Sequence, residues 1–328
     1  MNAAVDALAQ TLNATNVTGG SKSQGLPPLL LGFAIAQPFI WFFMFTSNLI
    51  VLIVYKRYLG FKVHTNVFVY NISVVDFCMS FNMLFQMLFF LLPKLNSTEF
   101  LCMFQMELMS FLTTVSLLSG IFATIDRFLI IVYNNQYHNI MSMRNVKIMV
   151  AVAWIYSFCY AGVPFFVNNW DIYPKCEFVR VVPAWYIGFG SCQQILSTIC
   201  EICFYVAIFH VAHSRRRNVS REAGSARREQ SLRGAKFMGV VLIVYSLCWT
   251  PFAILGLIQI FSYHPVLTYV RMTSVYLGIS NSLLNPIVYA WQKRDFRDGC
   301  KRLLRCPRSK VNPSSGSRAI WNTTQRES

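Results

Sequence analysis

The amino-acid sequence predicts an all-α membrane protein, a bundle of seven spanning helices, on three observations. Of 328 residues, 55% are hydrophobic and only 13% charged, whereas soluble domains run at about 45–50% and about 25%. So few charges cannot form the skin of a water-facing domain, and an aromatic content of 15% excludes intrinsic disorder. The apolar residues fall in seven runs, each long enough to cross a hydrocarbon core about 30 Å thick. The net charge of +16 sits in clusters between those runs, a pattern of membrane topology rather than a nucleic-acid footprint, so no nucleic-acid partner is expected.

The first run, 29–55, carries Pro38, which a bundled helix tolerates because its neighbours satisfy the freed backbone groups. The second (66–92) and third (102–132) contain the acidic residues Asp76 and Asp126. The fourth (146–167) includes Pro164, the fifth (184–211) has no internal proline, and the sixth (235–261) and seventh (267–291) are kinked at Pro251 and Pro286. Helix is the only open choice within them, since an unclosed strand in lipid leaves its backbone unpaired. Seven crossings put the termini on opposite sides. With the N-terminus outside, 24 of the 29 Lys and Arg residues fall in cytoplasmic segments, and only Lys22, Lys94, Lys175, Arg180 and Arg271 remain outside. The positive-inside rule therefore predicts an extracellular N-terminus and a cytoplasmic C-terminus. The N-glycosylation sequons at Asn13, Asn16 and Asn96 fall in segments this topology places outside. Those at Asn71, Asn218 and Asn322 lie in a span or in the cytosol and carry no weight. The N-terminus lacks signal-peptide features, so the first span is read as an uncleaved signal.

Ionisable residues at membrane depth are costly and usually functional. Asp76 lies midway along the second span, where a charged carboxylate needs polar neighbours or a bound cation. Asn48, Ser116, Asn281 and Asn285 lie at similar depth, and their oxygens with those of Asp76 would suit a hard cation such as sodium; the alternative is plain interhelical hydrogen bonding. Asp126 and Arg127 close the third span, either as an interface anchor with a snorkelling arginine or as a latch broken when the bundle opens. Glu201 has no basic partner at its depth.

These motifs, in order, resemble those of the rhodopsin-like G-protein-coupled receptors across residues 29–306. They are Ser47-Asn48, Ser73-Val74-Val75-Asp76, Asp126-Arg127-Phe128, Trp154, Cys248-Trp249-Thr250-Pro251 and Asn285-Pro286-Ile287-Val288-Tyr289, one per span with the fifth marked by Tyr205. The resemblance implies an extracellular tail (1–28), a seven-helix receptor domain (29–292), a short amphipathic C-terminal helix on the inner leaflet (293–306) and a cytoplasmic tail (307–328). It implies a Cys102–Cys176 disulfide, compatible with an oxidising exterior. Cys300 and Cys306 are either palmitoylation sites or plain thiols. Departures are Phe128 in place of tyrosine, Asn134 and Ser197 in place of prolines, and Ser231 where some members carry a glutamate partner for the arginine, which leaves Arg127 to Asp126, alone or with Glu229. A fifth helix without its proline is expected to be straighter.

Resemblance also narrows the ligand. The retinal-bearing lysine position is Ile279 and the amine-binding aspartate position is Met109, with Glu107 nearly a turn outward; neither an opsin nor a monoamine receptor is expected. The loop Lys175–Pro183 and Arg294-Asp295-Phe296 are similar to adenosine receptors, but the purine-binding asparagine, serine and histidine positions are Gly256, Gly278 and Ile279. Gln86, Phe104, Met106, Met109, Ser110, Thr113, Gln194, Phe252 and Ser274 remain to line a mostly apolar outer cavity suited to a small ligand. Arg271 either meets a ligand carboxylate or anchors the helix at the solvent interface. The implied function is a plasma-membrane receptor that activates a heterotrimeric G protein, with membrane lipids as its other partner. Trp249 above Pro251 would sense the ligand, and Arg127, Tyr205 and Tyr289 would line the opened cytoplasmic cleft. No cofactor beyond an allosteric sodium ion is expected. A receptor-shaped protein without G-protein output and a transporter are the alternatives; no internal repeat supports the latter. No nucleophile–base or metal-ligand spacing suggests an enzyme.

Overall fold

The computed structural model describes residues 28–133, 136–217, 225–262 and 264–304. Eight principal helices account for most of them: α1 (Pro28–Val54), α2 (His64–Leu91), α3 (Glu99–Val132), α4 (Met143–Gly162), α5 (Ala184–Arg217), α6 (Ser225–Phe261), α7 (Pro265–Gln292) and α8 (Arg294–Leu304). No strand occurs among the described residues. Six helices, α1 to α6, are long and apolar enough to cross a membrane by length and composition. At 28 residues α7 is as long as α2, but polar residues such as Arg271, Asn281, Ser282 and Asn285 interrupt its apolar run.

Local chemistry sets the ends. The first helix finishes in a π-helical turn (Tyr55–Leu59) closed by Gly60, whose φ of 66° is left-handed and favours glycine. Ser142 caps α4 by accepting from the Asn145 amide at 3.2 Å, and α4 stops at Gly162 in a 3-10 turn that places Pro164. The fifth helix runs unbroken for 34 residues. The sixth begins at Ser225, ahead of the apolar run at 235, because Ala, Arg, Glu and Gln there favour helix.

The helices close in sequence, α1 on α2, α2 on α3, α5 on α6, α6 on α7 and α7 back on α1, while α3 touches α2, α4, α5 and α6 and so forms the axis of the bundle. The bundle is polar inside and apolar outside: Asn48, Ser73, Asp76 and Asn82 are buried, whereas Phe158 is 72% exposed, Phe209 65% and Leu247 67%. That inversion suits lipid. Asn71 ties three helices together, donating to Ser119 Oγ of α3 at 2.7 Å and accepting from Trp154 Nε1 of α4 at 2.9 Å. On α8, Phe296 and Gly299 face the bundle while Arg297, Lys301 and Arg302 are exposed.

Replacing Asn71 by Leu should therefore lower stability by about 1–2 kcal/mol, since it removes two interhelical bonds and leaves a buried indole N–H unpaired. A thermal melt in detergent reads this; an unchanged midpoint would show that the three-helix tie contributes nothing.

Candidate functional site

Functional side chains gather at three depths: a cavity at the end that carries the disulfide, a polar centre, and a charged cluster at the end that carries α8.

At the disulfide end the helices enclose a cavity of about 230 Å³. Its roof is the segment after α4, held by the Cys102–Cys176 disulfide with a Cα–Cα distance of 5.6 Å, so that Cys176 to Val179 lie over the cavity. Its floor is Trp249. The indole lies against Gly278 of α7, where a Cβ would come within 2.7 Å of the ring, so no larger residue fits without displacing it. Gln86, Met106, Met109, Ser110, Thr113, Gln194, Phe252 and Arg271 all line the cavity, as expected. Two other expectations are corrected. Ser274 does not line it, because its hydroxyl donates to the Val270 carbonyl of its own helix at 3.0 Å. Phe104 is 36% exposed and packs against Phe85 and Phe100 on the outer surface of the bundle.

Arg271 is no solvent-facing anchor: it is 6% exposed and lines the cavity. Its guanidinium carbon lies 4.4 Å from the Phe252 ring centre and 4.6 Å from that of Phe178. Nη1 donates to Gln259 Oε1 at 3.3 Å, and Nε has no partner. Glu107 is buried and accepts from the Tyr186 hydroxyl at 2.7 Å, and it does not line the cavity.

In the centre, Asp76 accepts from Ser282 Oγ at 2.7 Å and Asn285 Nδ2 at 2.8 Å, both from α7. Asn48 Nδ2 reaches the Ser282 carbonyl at 3.0 Å. The Asn48 and Asn281 Oδ1 atoms are buried without partners. Ser116, expected beside Asp76, makes no hydrogen bond to it: the donors come from α7, not α3. Glu201 of α5 accepts from Ser246 of α6 at 2.9 Å, which supplies the partner the sequence left open.

At the α8 end, Asp126 is fully buried and holds Arg127 Nη2 at 2.7 Å. Its other oxygen accepts from the Tyr137 hydroxyl at 2.7 Å, and Thr65 Oγ1 approaches at 3.3 Å. Burial, and then the Asp126 carboxylate, hold the Tyr137 phenol protonated well above its ordinary range, so it stays a donor. His64 Nδ1, 2.6 Å from the same hydroxyl, must then donate, which fixes the neutral ring as the Nδ1–H tautomer. Tyr205 packs on the Ile131 and Ile208 cluster, and its ring lies against Gly239 of α6, within 2.7 Å of a Cβ placed there. Tyr289 is buried near Tyr55 and Phe296. Ser231 and Glu229 lie in α6 where side chains are not described.

Among modification sites, Asn96 is corrected. Its Nδ2 donates to the Phe89 carbonyl at 3.2 Å and its Oδ1 accepts from Gln105 at 3.1 Å, so the amide is buried and engaged where a glycan needs it free. Asn13, Asn16, Asn134 and Cys306 lie outside the described residues. Cys300 is half-buried on α8.

Sequence reasoning missed Ser282, Thr65, His64, Tyr186 and Gln259. Only Ser282 left a readable signal, three residues before Asn285 and so on the same helical face. Tyr137→Phe should cost about 1 kcal/mol by leaving one Asp126 oxygen without its shortest bond; a thermal melt against the parent chain measures it, and no change would deny Tyr137 a structural role in the cluster.

Residues 47–289 match the family described as the 7 transmembrane receptor (rhodopsin family). Galanin receptor type 1 from Rattus norvegicus is 25% identical over 262 residues, covering 74% of this chain and 72% of the receptor. The Homo sapiens receptor of that name is 26% identical over 263 residues, with the same coverage. Adenosine receptor A3 from Ovis aries is 28% identical over 236 residues, covering 65% of this chain and 73% of its own length. The cavity, the polar centre and the charged cluster thus stand where the match runs, and the chain belongs to the rhodopsin family of seven-transmembrane receptors.

Proposed function

We propose that this chain is a receptor whose disulfide end faces outward, whose ligand occupies the 230 Å³ cavity, and whose α8 end activates a heterotrimeric G protein. One observation carries the reading. Trp249 is at once the floor of the cavity and the residue whose indole covers Gly278, so a ligand that moves the indole changes the contact between α6 and α7. The charged cluster at the other end is closed, with Arg127 held by Asp126 at 2.7 Å. A ligand that binds better to the conformer with α6 displaced shifts the equilibrium toward it and frees Arg127 to meet the partner in the cleft between α3, α5 and α6. The orientation rests on 24 of 29 basic residues falling at the inner face. That face, with Lys301 and Arg302 on α8, also suits the anionic inner leaflet. The relatives' names give two different ligands, galanin and adenosine, so they leave the ligand open. Asn13 and Asn16 are the glycosylation sites this orientation retains.

A sodium ion fits the centre. The donor set is all hard oxygen, one carboxylate and the two unpartnered amide oxygens of Asn48 and Asn281. Asp76 and these amides would hold the ion, which neutralises the carboxylate and thereby favours the closed bundle.

In cells at equal surface expression, Arg127→Ala should abolish G-protein output, while Asp126→Asn should raise ligand-independent output several-fold by releasing the arginine. Unchanged signalling in Arg127→Ala would sink the assignment. Sodium chloride should raise the melting temperature of the purified chain above that in choline chloride, and Asp76→Asn should remove the difference; equal sodium stabilisation of that variant would reject the ion site.

A further inference from the structure

Arg271 is a buried cation for which the described residues provide no acid. Glu177, the carboxylate that lines the same cavity, is paired with Arg180 at 2.9 Å. The guanidinium carbon lies over two aromatic rings, those of Phe252 and Phe178. Such stacking offsets part of the cost of burying the charge, and it leaves only the edge of the fork free to bond. One position on that edge goes to Gln259 at 3.3 Å, a long bond to a neutral acceptor, and Nε has none. Gly256 of α6 packs closely at this end of Arg271: a Cβ there would come within 2.8 Å of Ser191 Oγ and 3.7 Å of Arg271 Nη2.

We infer that Arg271 is the recognition group for a carboxylate, and that the ligand is a small organic acid with an apolar body. This rests on the cavity being the ligand site of the receptor. A planar guanidinium held against aromatic rings presents an in-plane edge that a carboxylate meets with two parallel bonds. The rest of the lining is Met106, Met109, Phe252, Val275 and Ile279 with scattered neutral amides and hydroxyls, which favours a monoanion on a hydrocarbon over a phosphate needing several donors. The acid would replace Gln259 as the partner of Arg271. Because Gln259 belongs to α6 and Arg271 to α7, binding would dissolve a cross-link between those helices in the cavity that Trp249 also lines.

The test uses the full chain in lipid nanodiscs, with octanoate, dodecanoate and hydrocinnamate each set against its methyl ester. At least one acid should raise the melting temperature, and its ester should need about tenfold more for the same shift. Arg271→Gln should lose the acid effect, and Arg271→Lys, which keeps charge but not the fork, should weaken it about tenfold. Gly256→Asn, which crowds Arg271 Nη2, should weaken it without touching the charge, and it carries the test with Arg271→Lys where Arg271→Gln does not fold. An acid and its ester acting alike, full acid response in Arg271→Gln or Arg271→Lys, or no response to any acid would overturn the assignment. G-protein activation is read separately: an Arg271-dependent melting shift without G-protein output leaves the carboxylate site standing and removes the signalling proposal instead.

Discussion

Lipid allows these helices to show only carbon on the outside, so every polar side chain they carry must be satisfied within the bundle. Asp76 is where that constraint bites hardest. Its carboxylate is 2% exposed and depends on Ser282 and Asn285, which ties α2 to α7, and through the Ser282 carbonyl to Asn48 of α1. The same pressure sends Asn71 to Ser119 and Trp154, Glu107 to Tyr186 and Glu201 to Ser246. Each of these bonds joins two helices. The packing order of the bundle is thus in large part the order in which buried polar groups find one another.

Arg271 is one of several buried groups that fall short of that constraint, and it is the one that carries a charge into the cavity. Among the described residues it has no acid, and aromatic stacking with a 3.3 Å bond to Gln259 is the most the protein supplies. The Nε of both Arg127 and Arg271 lacks a partner, but Arg127 is held by an acid, Asp126, which also accepts from Tyr137 and Thr65. The two ends of the bundle therefore differ in how their buried arginine is neutralised, and it is this difference that the proposed carboxylate ligand would remove.

The length and apolar character of the helices were legible in the sequence because a bilayer sets both directly. The central Asp76 and Asn285 and the pair Asp126 and Arg127 were legible because charge is so scarce here. Which way a residue faces was much harder to read. A helix apolar on nearly all sides has little polar–apolar contrast to reveal its inward face, so Ser274, turned back on its own helix, and Ser282, bonded to Asp76, could not be told apart by type. Arg271 reads from sequence more readily as a solvent-facing anchor than as a cavity residue, for the same reason. Asn96 failed differently: the three-residue sequon says nothing of the 3-10 turn Pro93–Ser97 that folds its amide under Phe89.

The bonds between helices also indicate which helix is free to move. The bonds of Asn71 and Asp76 that hold α2 to α3, α4 and α7 measure 2.7, 2.9, and 2.7 and 2.8 Å, and Gln86 adds a longer one to the Gln105 carbonyl of α3 at 3.2 Å. Those from α6 are longer among the described residues: Tyr245 to the Thr113 carbonyl at 3.3 Å, Gln259 to Arg271 at 3.3 Å and Thr250 to Thr198 at 3.5 Å. Only Ser246 to Glu201, at 2.9 Å, is short. Elsewhere α6 meets its neighbours through rings laid on glycine, Tyr205 on Gly239 and Trp249 on Gly278. Such contacts rest on dispersion, which is weak per atom pair and changes little as surfaces slide, whereas a hydrogen bond weakens steeply with misalignment. Pro251 adds a missing backbone donor midway along the helix. The α6 displacement about Pro251 that we propose would thus break one short bond among those of the described residues, Ser246 to Glu201, and would leave the short bonds of α2 to α3, α4 and α7 intact.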